Sequence, residues 1–393
     1  MLNFEITATD GAARRGRIST VHGEIETPGF FAVATRSALK GLDPEAAKRA
    51  GVRALIVNAY HQHLQPGGPA VARQGGLHRV MAWDGVLATD SGGFQIFSFR
   101  HGHVAEEIKG NRNRPRSNPD EDPLEAVKVD EDGADFRSYL DGVRHRFTPE
   151  SNMELQRDLG ADIVMCLDEC TPFNVTRDYT QDAMERNLRW ARRCWDHFEL
   201  LGMPNRQSLY AINHGGVYEE LRRRSAAAIA DLPVAGFAIG DCLGQTKQDW
   251  YRLVDLVCPL LPEARPRHLL GVGEPDDLIE GCLRGIDTFD CSMPTRIARH
   301  GAALHRAEPR GRLDCTAPAR SNEDGPLEEG CDCHTCARFS RAYIWHLHRA
   351  HEMLGVALTA EHNLRHTARL MEEIREAISA GRLADLRRER LSV

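Results

Sequence analysis

The sequence predicts an α/β fold of the (β/α)8 barrel, or TIM barrel, class. Two observations predict it: eight short apolar runs rich in β-branched residues are spread along the chain, and helical patterns lie between them. The runs are continuous rather than alternating, as expected of strands buried on both faces. Alternation of strand and helix implies a parallel sheet. Eight strands within about 300 residues favour a closed barrel over an open doubly wound sheet.

The predicted strands, in chain order, are residues 27–35, 54–60, 85–90, 161–169, 208–213, 236–240, 268–273 and 287–293. The predicted helices are residues 43–51, 148–160, 180–202, 217–232, 247–261 and 274–285. Two of these helices begin with a Thr or Asp in the position of an N-cap, with acidic residues in the first turn.

Polar residues stand at or near the ends of five predicted strands: Asn58, Asp90, Asp168, Asn213 and Asp290. In a barrel these strand ends form the top face, where side chains from different strands converge on one site. The alternative is that polar residues simply mark where any strand stops. Three aspartates from three runs favour a shared site.

Residues 100–135 interrupt the alternation of strands and helices. The segment is charged, rich in Pro and Asn, and nearly free of aromatic residues. This composition predicts a long, mobile insertion after the third strand.

Composition describes an ordinary globular protein, with 393 residues, 41% hydrophobic residues and 27% charged residues. The N-terminus lacks a signal-peptide core, and no apolar run approaches the length of a membrane span, so a cytoplasmic location is expected. The net charge of −7 argues against a protein that coats nucleic acid through its overall field, while leaving a local basic patch open. The 11 cysteines are not typical of a secreted disulfide framework.

A cysteine cluster near the C-terminus predicts a metal site. Cys331, Cys333 and Cys336 have the spacing C-x-C-x2-C, and His362 follows after 25 residues. Three thiolates and one imidazole suit a closed, tetrahedral, structural zinc site, because four protein ligands leave no open position for catalysis. The alternative is a set of free buried thiols.

Four long motifs resemble one known family. TDSGGFQIFS (89–98), LGADIVMCLDECTP (159–172), the segment 268–301 and the cysteine-rich segment 331–364 are similar to tRNA-guanine transglycosylases of the bacterial type, also called queuine tRNA-ribosyltransferases. The similarity extends from about residue 4 to residue 380. It implies a barrel at 1–304 with the insertion at about 100–135, a zinc-binding subdomain inserted at 305–360, and a final barrel helix and tail at 361–393.

The resemblance implies exchange of guanine at the wobble position of a GUN anticodon for a free 7-deazaguanine base. Asp290 matches the nucleophile that forms a covalent ribosyl-enzyme, and Asp90 matches the general acid/base. Two displacements would retain configuration, as in retaining glycosidases. Residues expected to contact the base are Ser91, Gly92, Gly93, Phe94, Asp168, His214, Asp241 and Leu270.

The resemblance also implies tRNA contacts in two segments and a homodimeric assembly. The anticodon base must leave its stack to reach a pocket at the barrel top. Arg296 and Arg299 can pair with phosphates or bases. The expected tRNA-binding residues are Gly271, Val272, Gly273, Glu274, Pro275, Asp276 and Asp277, followed by Thr295, Arg296, Ile297, Ala298 and Arg299.

Two positions depart from the usual pattern of the family. His214 stands where a glutamine usually touches the base, so tautomer and charge become variables. The loop GDCLGQT (240–246) has Asp241 in place of a glycine and is shorter. This loop should line the pocket near the 7-substituent of the base. A shorter loop favours the bulkier queuine over its aminomethyl precursor, although Asp241 can pair with an amine on either.

Three other functions are considered. A non-catalytic tRNA-binding subunit of the same fold is disfavoured because both Asp290 and Asp90 are retained. Base exchange on DNA is disfavoured by the match in the tRNA-contact segments. A zinc-dependent barrel hydrolase would need metal ligands on barrel strands, and the nearest match is HQH at 61–63.

Overall fold

The computed structural model describes residues 2–96, 127–172, 175–241, 244–308 and 311–391. Its strands are β1 (Asn3–Asp10), β2 (Ala13–Thr20), β3 (Gly23–Thr27), β4 (Gly29–Val33), β5 (Ala54–Val57), β6 (Val86–Thr89), β7 (Val127–Val129), β8 (Ala134–Arg137), β9 (Arg144–Phe147), β10 (Ile163–Met165), β11 (Ser208–Asn213), β12 (Gly236–Ile239), β13 (Arg267–Leu269), β14 (Thr288–Cys291), β15 (Ala302–Leu304) and β16 (Arg312–Asp314).

The helices include α1 (Pro44–Arg49), α2 (Ala59–Leu64), α3 (Gly68–Arg73), α4 (Leu77–Met81), α5 (Pro149–Leu159), α6 (Arg177–Leu200), α7 (Glu219–Ala230), α8 (Lys247–Val257), α9 (Pro275–Leu283), α10 (Met293–Ala298), α11 (His334–Arg338), α12 (Arg341–Arg349), α13 (Met353–Ser379) and α14 (Leu383–Leu391). None of the helices in the described part of the chain has both the length and the apolar character needed to cross a membrane.

Eight strands form a closed barrel in the order β10-β11-β12-β13-β14-β4-β5-β6. The pairs β6–β10, β10–β11, β11–β12, β14–β4 and β4–β5 are parallel. Each barrel strand falls within a predicted apolar run, except that β13 begins one residue earlier, at Arg267. The predicted barrel is therefore confirmed.

The helix starts follow local capping chemistry. The side chains of Asp43 and Thr148 accept hydrogen bonds from the backbone N–H groups of Ala46 and Ser151, so both residues are N-caps. The helix predicted from residue 180 instead begins at Arg177, because Thr176 is its N-cap and accepts from the N–H of Tyr179.

One compact unit consists of Met1–Asn3, Val57–Val80 and Leu87–His268. In this unit β10, β11 and β12 are buried along their whole length. Gln156 of α5 ties two strands together at their ends. Its Oε1 accepts from the hydroxyl of Thr89 at 2.7 Å, and its Nε2 donates to the carbonyl of Met165 at 2.8 Å. This buried amide fixes the exits of β6 and β10, where two predicted site aspartates follow.

The other compact unit consists of Phe4–Ile56, Met81–Val86 and Leu269–Val393. In it β14 pairs with β4 in register, with Asp290 opposite Phe31. A buried ion pair between Arg14 of β2 and Asp287 fixes the chain just before β14. Gly281 of α9 lets the helix approach Phe289, since a Cβ there would lie 2.6 Å from the ring. The strand that carries Asp290 is thus anchored by charge and by packing.

The predicted insertion at 100–135 stays a prediction, because its residues up to 126 lie outside the described residues. Residues 127–135 contain β7 and the start of β8, which form an antiparallel sheet with β9. Val127, Ala134 and Phe136 are buried by their alternation along these strands. Asp130 stabilises the connecting turn by accepting from the N–H groups of Asp132 and Gly133. The many charges of the segment concealed this short alternation.

Candidate active site and metal centre

Asp90 follows β6 directly and is held by three donors. Its Oδ1 accepts from the N–H groups of Ala59 and Gly92, both at 3.0 Å, and its Oδ2 accepts from Nδ2 of Asn58 at 2.6 Å. Asn58 is also the N-cap of α2, accepting from the N–H of His61. One amide side chain therefore fixes both the helix start and the orientation of the carboxylate, which is suited to acid–base chemistry.

Ser91, Gly92 and Gly93 form a tight turn after Asp90. Gly92 has φ +77°, and a Cβ there would lie 2.7 Å from the backbone nitrogen of Tyr60. A Cβ on Gly93 would lie 2.2 Å from the carbonyl oxygen of Asp168. The sequence predicted that these glycines make room for a base. The structure shows that they make room for Tyr60 and Asp168, and room for a base stays a prediction.

Asp168 lies in the loop after β10 and is buried. The hydroxyl of Ser91 donates to its Oδ1 at 2.5 Å, and the N–H of Gly93 donates to that hydroxyl at 3.0 Å. Burial raises the pKa of Asp168, while the His214 charge and the Ser91 hydrogen bond oppose the increase. A carboxylate held this way can accept two further hydrogen bonds from a planar ligand.

His214 follows β11 and lies beside Asp168. Its Nε2 is 3.4 Å from Oδ2 of Asp168, and its Nδ1 is 3.9 Å from Oδ2 of Asp241. Its side chain is only 2% exposed. The structure therefore places this imidazole between the carboxylates of Asp168 and Asp241, within 4 Å of both.

Asp241 follows β12 and is saturated by protein donors. Its Oδ1 accepts from the N–H and hydroxyl of Thr171, and its Oδ2 accepts from the N–H groups of Gly215 and Gly216. Burial raises the pKa of Asp241, but the charges of His214 and Arg222 and the Thr171 hydroxyl outweigh it and hold that pKa well below its usual range. Asp241 is thus ionised, and its hydrogen bonds connect the loops after β10, β11 and β12. Residues 242 and 243 of the predicted base-selecting loop lie outside the described residues.

Asp241 adopts φ +72°, in the left-handed region. A glycine reaches this conformation without strain, and aspartate is one of the few other residues that visit it. The four donors around its carboxylate explain why an aspartate is stable here.

Arg222 of α7 is fully buried and binds the loops that carry this cluster. It donates to the carbonyls of Asn213, Gly216 and Gly240. These three carbonyls belong to the chain exits of β11 and β12. The buried guanidinium fixes the loops that carry His214 and Asp241.

Asp290 is the third residue of β14 and is partly exposed. Its Oδ1 accepts from the N–H of Gly271 at 3.1 Å. Gly271 is exposed with φ +76°, so the turn presents its N–H to the carboxylate. The carboxylate is therefore supported by the protein rather than enclosed in an apolar core.

Phe94 and Leu270 are the two remaining predicted base contacts, and residues 271–277 are the first segment predicted to contact tRNA. Their exposure to solvent differs. Phe94, Leu270, Val272 and Pro275 are half-buried. Gly273 packs against Cys291, where a Cβ would approach to 2.4 Å.

The acidic residues of this segment have local roles. Glu274 forms an ion pair with Arg312. Asp276 and Asp277 lie in the first turn of α9, where negative charge interacts favourably with the helix dipole.

The second segment predicted to contact tRNA forms α10 and its C-cap, with one buried and one accessible face. Thr295, Ile297 and Ala298 are buried, with Ile297 packing in a cluster with Met293 and Leu304. Arg296 is half-buried and Arg299 is exposed. Burial and the neighbouring Arg296 charge lower the pKa of Arg299. The two arginines, rather than the three buried residues, offer side chains to an anion.

The cysteine cluster fits a tetrahedral metal. Nδ1 of His362 lies 3.6 Å from Sγ of Cys331, 3.6 Å from Sγ of Cys333 and 3.3 Å from Sγ of Cys336. Tetrahedral zinc with ordinary Zn–S and Zn–N bonds separates S and N ligands by about 3.6 Å. His362 also donates from Nε2 to the carbonyl of Leu304 at 2.8 Å. This hydrogen bond orients the Nδ1 lone pair toward the sulfurs.

His61 and His63 offer no support for a metal hydrolase. Nδ1 of His61 lies 3.1 Å from the hydroxyl of Tyr139, and Nε2 of His63 lies 3.0 Å from Nδ1 of His145. Burial and the His145 charge lower the pKa of His63 to about 4. In the described ranges neither belongs to a group of three or more metal-type ligands.

Two supporting residues were missed at the level of sequence. Asn58 was recognised only as a strand-end residue, and Arg222 was one arginine in a predicted helix. A sequence signal existed for Asn58, because an amide between a buried strand and a helix is a typical N-cap. No local pattern distinguishes Arg222 from its neighbours Arg223 and Arg224.

Comparisons with known proteins agree with this architecture. The family model described as Queuine tRNA-ribosyltransferase matches residues 9–393. A queuine tRNA-ribosyltransferase from Roseiflexus sp. (strain RS-1) is 47% identical over 403 residues, covering 100% of both chains. Proteins of the same name from Pelotomaculum thermopropionicum and Herpetosiphon aurantiacus are 44% and 45% identical, covering 98% and 96% of this chain and 97% and 89% of their own. The chain therefore belongs to the queuine tRNA-ribosyltransferase family.

Proposed function

We propose that this chain is a tRNA-guanine transglycosylase that exchanges guanine at the wobble position of a GUN anticodon for a free 7-deazaguanine base. The observation that carries the proposal is full-length family membership together with the presence of Asp90, Asp168 and Asp290. A cytoplasmic location and a homodimeric assembly are part of the proposal. The aromatic stack of half-buried Phe339 with exposed Tyr343 and His346 supports a partner surface, since aromatic groups are enriched at interfaces.

The reaction is a double displacement. Asp290 attacks the anomeric carbon of the ribose, so that an O–C bond forms while the bond to guanine breaks. Asp90 gives a proton to the departing guanine and takes one from the incoming base. The nitrogen of that base then bonds to the anomeric carbon and releases Asp290. One glycosidic bond replaces another, so configuration is retained and no external energy source is required.

Guanine recognition is assigned to Asp168. Its carboxylate accepts from the N1–H and the 2-amino group of the purine, so a purine without the 2-amino group leaves it half paired. Ser91 holds one carboxylate oxygen in place. Zinc is proposed as the ion of the Cys331, Cys333, Cys336 and His362 site, where it supplies structural cross-linking rather than chemistry.

The central experiment measures incorporation of labelled guanine into a tRNA with a GUN anticodon. Wild-type protein should exchange the base, and Asp290→Ala should reduce exchange to background, because no other group in the proposal captures the ribose. Asp287→Asn is unsuitable as a control because Asp287 forms a buried ion pair, so Asp255→Asn in the outer helix α8 serves instead. Exchange that survives in Asp290→Ala rules out the covalent mechanism.

The same assay determines the incoming base. Queuine and its aminomethyl precursor compete for release of labelled guanine, and the shortened 240–246 loop favours queuine. Failure of queuine to displace guanine contradicts this choice and leaves the reaction class intact.

A further inference from the structure

We propose that His214 is a positioning residue that supplies the positive charge needed to keep Asp168 ionised for guanine recognition, and that Asp241 holds His214 in that role. The inference rests on the proposed function, because Asp168 is assigned there as the guanine reader. It deepens that function by explaining how a buried carboxylate accepts from two donors of the base.

The geometry gives the imidazole one position between the two carboxylates. Nε2 of His214 faces Asp168 at 3.4 Å and Nδ1 faces Asp241 at 3.9 Å. Neither ring nitrogen has a hydrogen-bond partner that satisfies ordinary geometry in the described structure. A buried imidazole without such partners is costly when neutral, because a ring N–H and a ring lone pair are both unsatisfied. Protonation turns both nitrogens into donors aimed at carboxylates.

The positive charge that we assign to the imidazole is inferred from the charged groups around it. Asp168 from the loop after β10 and Asp241 from the loop after β12 lie within 4 Å of His214, and the charge of Arg222 from α7 acts on Asp241. Arg222 balances Asp241, and the four donors to Asp241 keep it ionised. Asp168 is then left to be balanced by His214. The thiol of Cys166 is also near Asp168, and its pKa is raised, so it stays neutral and adds no further negative charge.

Asp168 needs this balance because burial alone favours its protonated form. Burial raises its pKa and the charge of Asp241 adds to the increase, while His214 opposes it. A protonated carboxyl group loses acceptor capacity and cannot pair with both the N1–H and the 2-amino group of guanine. Asp241 therefore acts on the base only indirectly. Its carboxylate oxygens are occupied by four protein donors, and its charge holds the imidazolium of His214, which in turn keeps Asp168 ionised.

The test compares wild type with His214→Gln, which introduces the residue usual at this position in the family, so that a polar contact with the base is available and only the charge is removed. Guanine binding to the tRNA-free protein is measured by calorimetry at pH 6 and pH 8, together with the pH profile of guanine exchange. We expect guanine affinity of the variant to fall about tenfold more at pH 6 than at pH 8, since a loss of one pKa unit of stabilisation is tenfold. The acid limb of the exchange profile should move to higher pH. Thermal unfolding confirms that the variant is folded.

A matched control is His63→Gln, which replaces a histidine in the same compact unit that contacts His145 rather than Asp168. Its pH profile should overlay that of wild type. A His214→Gln profile that also overlays wild type overturns this inference while the transglycosylase function stands. Wild-type protein that neither binds nor exchanges guanine overturns the proposed function, and this inference with it.

Discussion

At the scale of single residues, the site depends on side chains that orient the reacting groups. Asn58 illustrates this: one amide donates to Asp90 and also caps α2. The same pattern holds for Gly271, whose backbone N–H supports Asp290. The candidate chemical groups could be named from the sequence, whereas their supports could not, because contacts such as those of Arg222 with three loop carbonyls depend on how the chain folds.

Asn58→Ala should lower kcat for guanine exchange by about tenfold or more, because a hydrogen bond to a charged group contributes about 1.5–3 kcal/mol. It should also lower the melting temperature, since the cap of α2 is lost. Asn58→Ser separates the two effects. It retains an oxygen that can accept from the N–H of His61 but lacks the amide that donates to Asp90, so kcat should fall with a smaller loss of thermal stability than in Asn58→Ala. A wild-type kcat in Asn58→Ser contradicts the orienting role.

At the scale of elements, the strands were more predictable than the segments between them. Each barrel strand is a continuous apolar run because both of its faces are covered, and that pattern is visible without knowledge of the fold. The β7–β8 hairpin was missed because its buried positions, such as Val127 and Phe136, alternate within a run of charges. α10 shows a further limit. Its sequence matches a tRNA-contact segment, but only its three-dimensional setting shows that Ile297 is buried and Arg299 exposed.

Replacing Arg296 and Arg299 of α10 with glutamine should raise the KM for tRNA and leave the affinity for free guanine unchanged. Each lost phosphate contact should also reduce the slope of log affinity against log salt by about 1. The measurement is exchange kinetics over a range of salt concentrations. Arg252→Gln is the control, because Arg252 is exposed and paired with Glu219 on the outer helices. An unchanged salt slope in the double variant would show that Arg296 and Arg299 do not contact the tRNA phosphates.

At the scale of the whole molecule, metal binding and folding of the C-terminal region should be linked. The ligands come from a knuckle at 331–336 and from α13, which carries His362. Because a site built from separated segments is absent in the unfolded chain, the free energy of metal binding contributes directly to folding. The four ligands were predictable because cysteine spacing is a strong local pattern, and the distant histidine suits the closed coordination that such a pattern requires.

Metal analysis should find about one zinc per chain, and its removal by a chelator should unfold the C-terminal region rather than only slow the chemistry. His362→Ala should have the same effect, seen as loss of bound metal and a lower melting temperature. His334→Ala is the matched control, because His334 lies on the same knuckle, is exposed and is outside the ligand group. Full metal content in His362→Ala contradicts the assignment of this ligand.

The residue next to the proposed metal ligand His362 on α13 connects this site to the chain near Asp290. Next to His362, Asn363 donates to the carbonyls of Pro294 and Ala302 and accepts from the N–H of Leu304. Pro294 follows the strand of Asp290 by only a few residues. If the metal is needed to hold α13, each molecule without metal should lose these hydrogen bonds to the chain that follows the strand of Asp290, the proposed nucleophile. A partly loaded preparation should behave as a mixture of active and inactive molecules: its kcat should scale with metal occupancy while its KM stays constant.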